Sequence, residues 1–112
     1  MKYSMQLHQG PFDGIKSGRK TIEMRLNDER RRNLKVGDTI EFTNRFTGDT
    51  LLVEVLNIYY YDTFKEIYLN FDKVSLGYKE DEVANPEDMN LYYTKEQQEK
   101  YGVIAIKIKL IQ

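Results

Sequence analysis

Residues 20–26, Lys20-Thr21-Ile22-Glu23-Met24-Arg25-Leu26, alternate without a break. On a strand, Ile22, Met24 and Leu26 face one side, while Thr21, Glu23 and Arg25 face the other. One face is apolar and asks for a core. The other carries a carboxylate and a guanidinium two residues, or roughly 7 Å, apart. Upstream, residues 3–9 read as a first strand broken at Gly10-Pro11. Phe12, Ile15 and Lys16 then have helical spacing, and Gly18 supplies a stop.

Downstream, Asn27-Asp28 offers a cap for a charged turn through Arg32. Lys35-Val36-Gly37-Asp38 turns into a strand over 39–43 with Ile40 and Phe42 inward. Thr47-Gly48-Asp49 then closes a hairpin into a long strand over 51–59. Residues 63–70 carry a helical stripe of Phe64, Ile67 and Tyr68, continued by Phe71. Asn85-Pro86 pairs a cap with a first-turn proline, and Thr94-Lys95-Glu96-Gln97 fits a capping box. Gly102 leads into residues 103–111, with Ile104, Ile106, Ile108 and Leu110 on one face and Lys107 and Lys109 on the other. These elements predict one α+β domain over 1–112. It should be a small mixed β-barrel of about five or six strands joined by hairpins, with three or four short helices inserted, since closure hides strand edges.

The 112 residues contain no cysteine, which excludes disulfides, thiolate zinc sites and cysteine nucleophiles. Hydrophobic residues make up 40% and charged residues 31%, a globular balance. No apolar run reaches the ~20 residues of a membrane span, and residues 1–10 lack the apolar centre of a signal peptide. The expectation is a cytoplasmic protein with no membrane partner. The net charge of −1 is unevenly spread: residues 1–45 hold ten Lys/Arg and six Asp/Glu, and residues 46–112 hold seven and twelve. That distribution permits a basic patch on an acidic body.

The densest polar cluster runs from Lys16 to Arg25. A carboxylate between Lys20 and Arg25 stays ionised, because neighbouring positive charge favours the charged form. The trio suits a phosphate, a base edge or another polar ligand; it also suits water activation, with Glu23 as base and Lys20 or Arg25 stabilising developing negative charge. A strand-surface ion pair worth under ~1 kcal/mol has the same spacing. Arg30-Arg31-Arg32, with Lys35 and Arg45, could track phosphates, although Asp28-Glu29 can neutralise the run. His8 is the sole histidine, and no acidic spacing implies a metal or other cofactor. Nine tyrosines include Tyr59-Tyr60-Tyr61 and Tyr92-Tyr93. These could stack on unpaired bases, but neighbours on a strand point to opposite sides, so about half should be packing. There is no phosphate loop, dinucleotide glycine motif or nucleophile elbow.

With these residues in view, the chain resembles the ASCH domain family of PUA-like β-barrels. The family signature Gly-x-Lys-x-x-Glu-x-Arg stands as Gly18-Arg19-Lys20-Thr21-Ile22-Glu23-Met24-Arg25. Lys35-Val36-Gly37-Asp38, Ile40-Glu41-Phe42-Thr43-Asn44 and Lys100-Tyr101-Gly102-Val103-Ile104-Ala105-Ile106 follow in the expected order. The resemblance implies a pseudobarrel with a cleft beside the signature and a role in binding RNA or a nucleotide-like ligand. The expected ligand site comprises Lys16, Lys20, Glu23 and Arg25, with Asn44 and Arg45 on the nearby hairpin. One branch of the family cleaves the amide of N4-acetylcytidine with a signature Lys and Thr; here Lys20 matches but Glu23 occupies the Thr position, so that activity is not carried over. Other members are linked to ribonuclease activity. A hydrolase using Lys20 and Glu23 is therefore the alternative reading. A protein–protein adaptor using Glu80-Asp81-Glu82 and exposed tyrosines is a second. On the binding reading, Lys20 and Arg25 should be replaceable at little cost to stability.

Overall fold

The computed structural model describes residues 1–111. Five strands, β1 (Lys2–Leu7), β2 (Ile22–Leu26), β3 (Thr39–Asn44), β4 (Thr50–Tyr61) and β5 (Val103–Leu110), form one curled, half-barrel sheet in the order β1-β3-β4-β5-β2. β1 runs parallel to β3, and the other three pairings are antiparallel. The expected α+β class and the barrel-like curl are both present. The connections differ from the all-hairpin expectation. β3–β4 is a hairpin, but the partners β4 and β5 are separated by α2 (Phe64–Asn70), α3 (Lys73–Leu76), a 3-10 turn (Pro86–Leu91) and α4 (Lys95–Tyr101). The parallel β1–β3 pair needs a crossover, supplied by α1 (Gln9–Lys16) and β2.

Two cores lie on opposite faces of the sheet. Ile104, Ile106 and Ile108 join Phe42, Val53 and the α1 residues Phe12 and Ile15 in the first. Val103 and Ala105 join Ile22, Met24 and Leu26 with Phe64 and Ile67 of α2 in the second. β5 is therefore covered on both faces for its first four residues and polar only where Lys107 and Lys109 emerge. Leu110, expected inward, is 37% exposed at the strand's end.

The local signals mostly held. Thr63–Glu66 and Thr94–Gln97 both form reciprocal capping boxes, satisfying two otherwise orphaned amides at each helix start. The α1 start differs: the helix begins at Gln9, so Gly10-Pro11 sits inside its first turn, where a proline's missing N–H costs nothing. Asn44 is the hidden organiser of the hairpin. Fully buried, its Oδ1 accepts from the amides of Phe46 and Thr47 at 2.9 and 3.2 Å, while its Nδ2 donates to Gln9 Oε1 at 3.0 Å.

Asn44→Ala leaves those amides without their acceptor and should cost about 1–3 kcal/mol. A chemical-denaturation midpoint equal to that of the parent protein would contradict this account of the hairpin.

Candidate ligand cleft

β2 sits at one edge of the sheet, and its alternation divides its side chains as the sequence implied. Ile22, Met24 and Leu26 enter the second core. Glu23 lies opposite Ile106, and Arg25 opposite Ile104, on the face of the first core. Glu23 is consequently only 4% exposed, and Lys20 only 6%.

The three charges satisfy one another. Lys20 Nζ lies 3.3 Å from Glu23 Oε1. Arg25 donates to Glu23 Oε2 through Nε at 3.0 Å and through a terminal nitrogen at 2.9 Å. Each cation also reaches a distant backbone carbonyl: Lys20 donates to Leu76 O at 2.8 Å, and Arg25 to Gln6 O at 3.0 Å. The second bond spans the gap between β1 and β2, the two edge strands. Burial by itself would raise the Glu23 pKa, but the charges of Arg25 and Lys20 and their hydrogen bonds outweigh it and hold the carboxyl below its ordinary value. Burial likewise disfavours the Arg25 cation, yet Glu23 keeps it firmly charged.

Two glycines shape the passage for Lys20. A Cβ on Gly14 of α1 would stand 3.2 Å from Lys20 Cβ, and one on Gly77, after α3, would stand 3.1 Å from its Cδ. Gly77 also has φ +114°, which disfavours any side chain. The burial of Lys20 and Glu23, with Arg25 mostly enclosed, corrects the expectation that Lys20 and Arg25 could be removed cheaply, since removing either leaves Glu23 short of a partner.

The trio lies in one wall of an open cleft of about 1350 Å³. Seven Lys/Arg side chains line it against three carboxylates, and five tyrosines contribute to its walls. Of the expected ligand residues, Lys20, Glu23, Arg25 and Arg45 border this cleft. Lys16 does not: it is exposed at the end of α1. Asn44 does not either, being enclosed behind the hairpin. From the arginine run, Arg30 and Arg31 border the cleft, and Arg31 is pinned to Asp28 Oδ2 at 2.8 Å.

More tyrosines pack than expected. Tyr59, Tyr61, Tyr68, Tyr78, Tyr93 and Tyr101 pack on the second core and Tyr3 on the first, leaving Tyr60 and Tyr92 most exposed. The alternation within 59–61 holds: Tyr59 and Tyr61 both pack edge-on against Phe71. Sequence reasoning missed a chain of hydroxyls in the cleft wall. Tyr68 and Tyr78 hydroxyls are 2.8 Å apart, and Tyr78 donates to Asp88 Oδ2 at 2.7 Å. It also missed α3, whose Leu76 carbonyl holds Lys20; nothing local in the four residues Lys73–Leu76 announces that contact.

Because the folded Glu23 pKa is depressed, its contribution to stability is fully present above the ordinary value of about 4.5 and is lost as pH falls below it. Glu23→Gln should flatten the acid limb of a stability–pH curve. Glu23→Ala should cost about 3–5 kcal/mol by stranding two buried cations. Equal acid sensitivity in Glu23→Gln and the parent protein would show that another carboxylate governs that limb.

A family model for the ASCH domain matches residues 5–112. The crystal structure of hypothetical protein PH0355 is similar at 37% identity and a TM-score of 0.79, over 99% of this chain and 100% of that one. The solution structure of protein PF0455 from Pyrococcus furiosus is similar at 34% identity and a TM-score of 0.72, over 100% and 99%. The crystal structure of ASCH from Zymomonas mobilis shares the fold at 13% identity and a TM-score of 0.60, over 96% of this chain and 66% of that one. No curated protein matches. With its half-barrel sheet and a family match over nearly its whole length, this chain belongs to the ASCH domain family.

Proposed function

We propose that the chain is an RNA- or nucleotide-binding module whose ligand occupies the cleft beside Gly18–Arg25. The observation that carries this reading is charge segregation. The whole chain has a net charge of −1, yet one cleft gathers seven basic side chains against three acidic ones and interleaves them with tyrosines. That combination suits a phosphate backbone with unpaired bases.

The trio is engaged but not saturated. A guanidinium has five N–H donors, and Arg25 uses three in its bonds to Glu23 and Gln6. An ammonium has three, and Lys20 spends two on Leu76 O and Glu23. The remaining donors suit phosphate or carbonyl oxygens. Glu23 retains lone pairs for an exocyclic amine or ribose hydroxyl.

The depressed Glu23 pKa favours binding over hydrolysis, since a general base works best with a pKa near the operating pH. Lys73 Nζ fixes the backbone of the acidic loop by donating to Glu80 O and Glu82 O at 2.8 and 2.7 Å, while the side chains of Glu80, Asp81 and Glu82 stay exposed, so the adaptor reading keeps its surface.

The direct test is a titration with labelled single-stranded RNA at two salt concentrations, each point checked on a gel. Saturable binding of intact RNA that weakens with salt is expected. Arg30 and Lys79 are exposed at the cleft, so the Arg30→Ala, Lys79→Ala double variant should bind more weakly, with a salt slope lower by ~0.7 per lost contact. Its stability should stay within about ±0.5 kcal/mol for each surface substitution. Shortened RNA would replace this reading with the hydrolase, and no binding even at low salt would overturn it.

A further inference from the structure

Where β1 ends, an aromatic rim adjoins the cleft. His8, Arg45 and Tyr92 border the cleft itself. The His8 ring centroid lies 5.5 Å from that of Tyr92 and 6.4 Å from that of Phe46, both pairs tilted by about 50°. Arg45 Nη1 stands 3.2 Å from His8 Nε2. Because a guanidinium can only donate, this contact makes Nε2 an acceptor and orients the imidazole. Phe46 is 74% exposed at the hairpin tip, and its ring is the most exposed of the three.

The backbone that carries the exposed Phe46 ring is held firmly. The buried Asn44 side chain accepts from Phe46 N and Thr47 N, and the Asn44 carbonyl accepts from Gly48 N at 2.9 Å. Arg45 N donates to Leu7 O at 3.0 Å, fastening the turn to the end of β1. A large apolar ring on a fixed backbone, left in solvent, contributes nothing to the core. It is pre-organised to stack.

We infer that this rim is a second, base-stacking subsite, in which a nucleobase neighbouring the one held in the cleft lies against Phe46, so that the ligand is a single strand of at least two nucleotides. The inference rests on the cleft being the nucleotide site proposed above. Three observations select a nucleic-acid strand as the occupant. The rim is continuous with the cationic cleft through His8, Arg45 and Tyr92. A cation, Arg45, precedes Phe46 in the turn and contacts the His8 ring, so charge and aromatic surface occur together, as in single-strand binders. The spacing also fits: Arg25 touches β1 at Gln6, and His8 lies two residues farther, roughly 7 Å along an extended chain. A single nucleotide step of an extended, unpaired strand is of that order, so a base neighbouring the one in the cleft reaches the rim. Asn44, expected in the sequence to touch ligand, acts here as a positioning residue for the Phe46 turn.

The test compares adenosine 5′-monophosphate with a single-stranded adenylate hexamer on the parent protein, Phe46→Ala and Phe46→Tyr. The parent should bind the hexamer more tightly. Phe46→Ala removes no charge, yet it should shrink the hexamer's advantage over the mononucleotide by about 5- to 160-fold, the range of one lost base–aromatic stack. Phe46→Tyr, which keeps a ring, should restore it. An advantage unchanged in Phe46→Ala, or an equal loss for both ligands, overturns the stacking subsite while leaving the cleft reading intact. Mononucleotide binding without any hexamer advantage in the parent protein does the same. Binding of neither ligand by the parent overturns both.

Discussion

The Glu23 carboxylate is the constraint on which the rest of the molecule depends. It is almost wholly desolvated, a state that is unfavourable unless both oxygens are paired. Lys20 pairs one and Arg25 the other. Each partner then fixes a piece of backbone far away in sequence: Arg25 spans to β1 through Gln6 O, and Lys20 to the end of α3 through Leu76 O. The sheet is open between β1 and β2, and no backbone ladder joins those strands. A side-chain bridge across that gap ties the two edges while leaving the mouth accessible. The same three residues thus brace the half-barrel and form the wall of the cleft.

How much of this was legible follows from the range of each interaction. The alternation of residues 20–26 correctly assigned both faces of β2, because strand periodicity is local. The capping boxes at Thr63 and Thr94 were equally legible, each being complete within four residues. The parallel β1–β3 pairing was not, because parallel partners share no turn that could betray them. The Lys20–Leu76 bond spans 56 residues and joins a charge to a carbonyl, a group every residue carries. Asn44 looked like a ligand residue because a hairpin beside the signature places it near the site. Its burial arises from packing against α1, through Gln9, which no spacing rule contains. Lys16 lies outside the cleft lining for a simpler reason: helix α1 presents Phe12 and Ile15 to the core, and Lys16 at its end is exposed.

The cationic character of the cleft is a tertiary property as well. Arg19, Arg25, Arg30, Arg31 and Arg45 come from the basic first part of the chain, but Lys79 comes from the acidic remainder. In the acidic run beside Lys79, the Glu82 carboxylate accepts from the Lys79 amide, and Lys73 holds the carbonyls of Glu80 and Glu82. Segment charge alone would have assigned the acidic loop to a separate surface; folding brings Glu82 to the cleft edge while leaving the balance there positive.

The tyrosines complete the division of labour. Asp88 accepts from the Tyr78 hydroxyl, and a hydroxyl has one proton to give. Tyr78 can therefore only accept from Tyr68, which makes Tyr68 the donor in the 2.8 Å contact between them. With its proton committed, the Tyr68 oxygen offers only lone pairs to anything else in the cleft. Burial raises the pKa of both phenols, and the neighbouring Asp88 adds to that, so neither becomes an anion at neutral pH. The cleft lining thus includes a fixed acceptor that adds no negative charge, together with the N–H donors of Lys20 and Arg25. On the proposed reading, a nucleotide, which carries both anionic oxygens and N–H or O–H groups, would find both kinds of partner there.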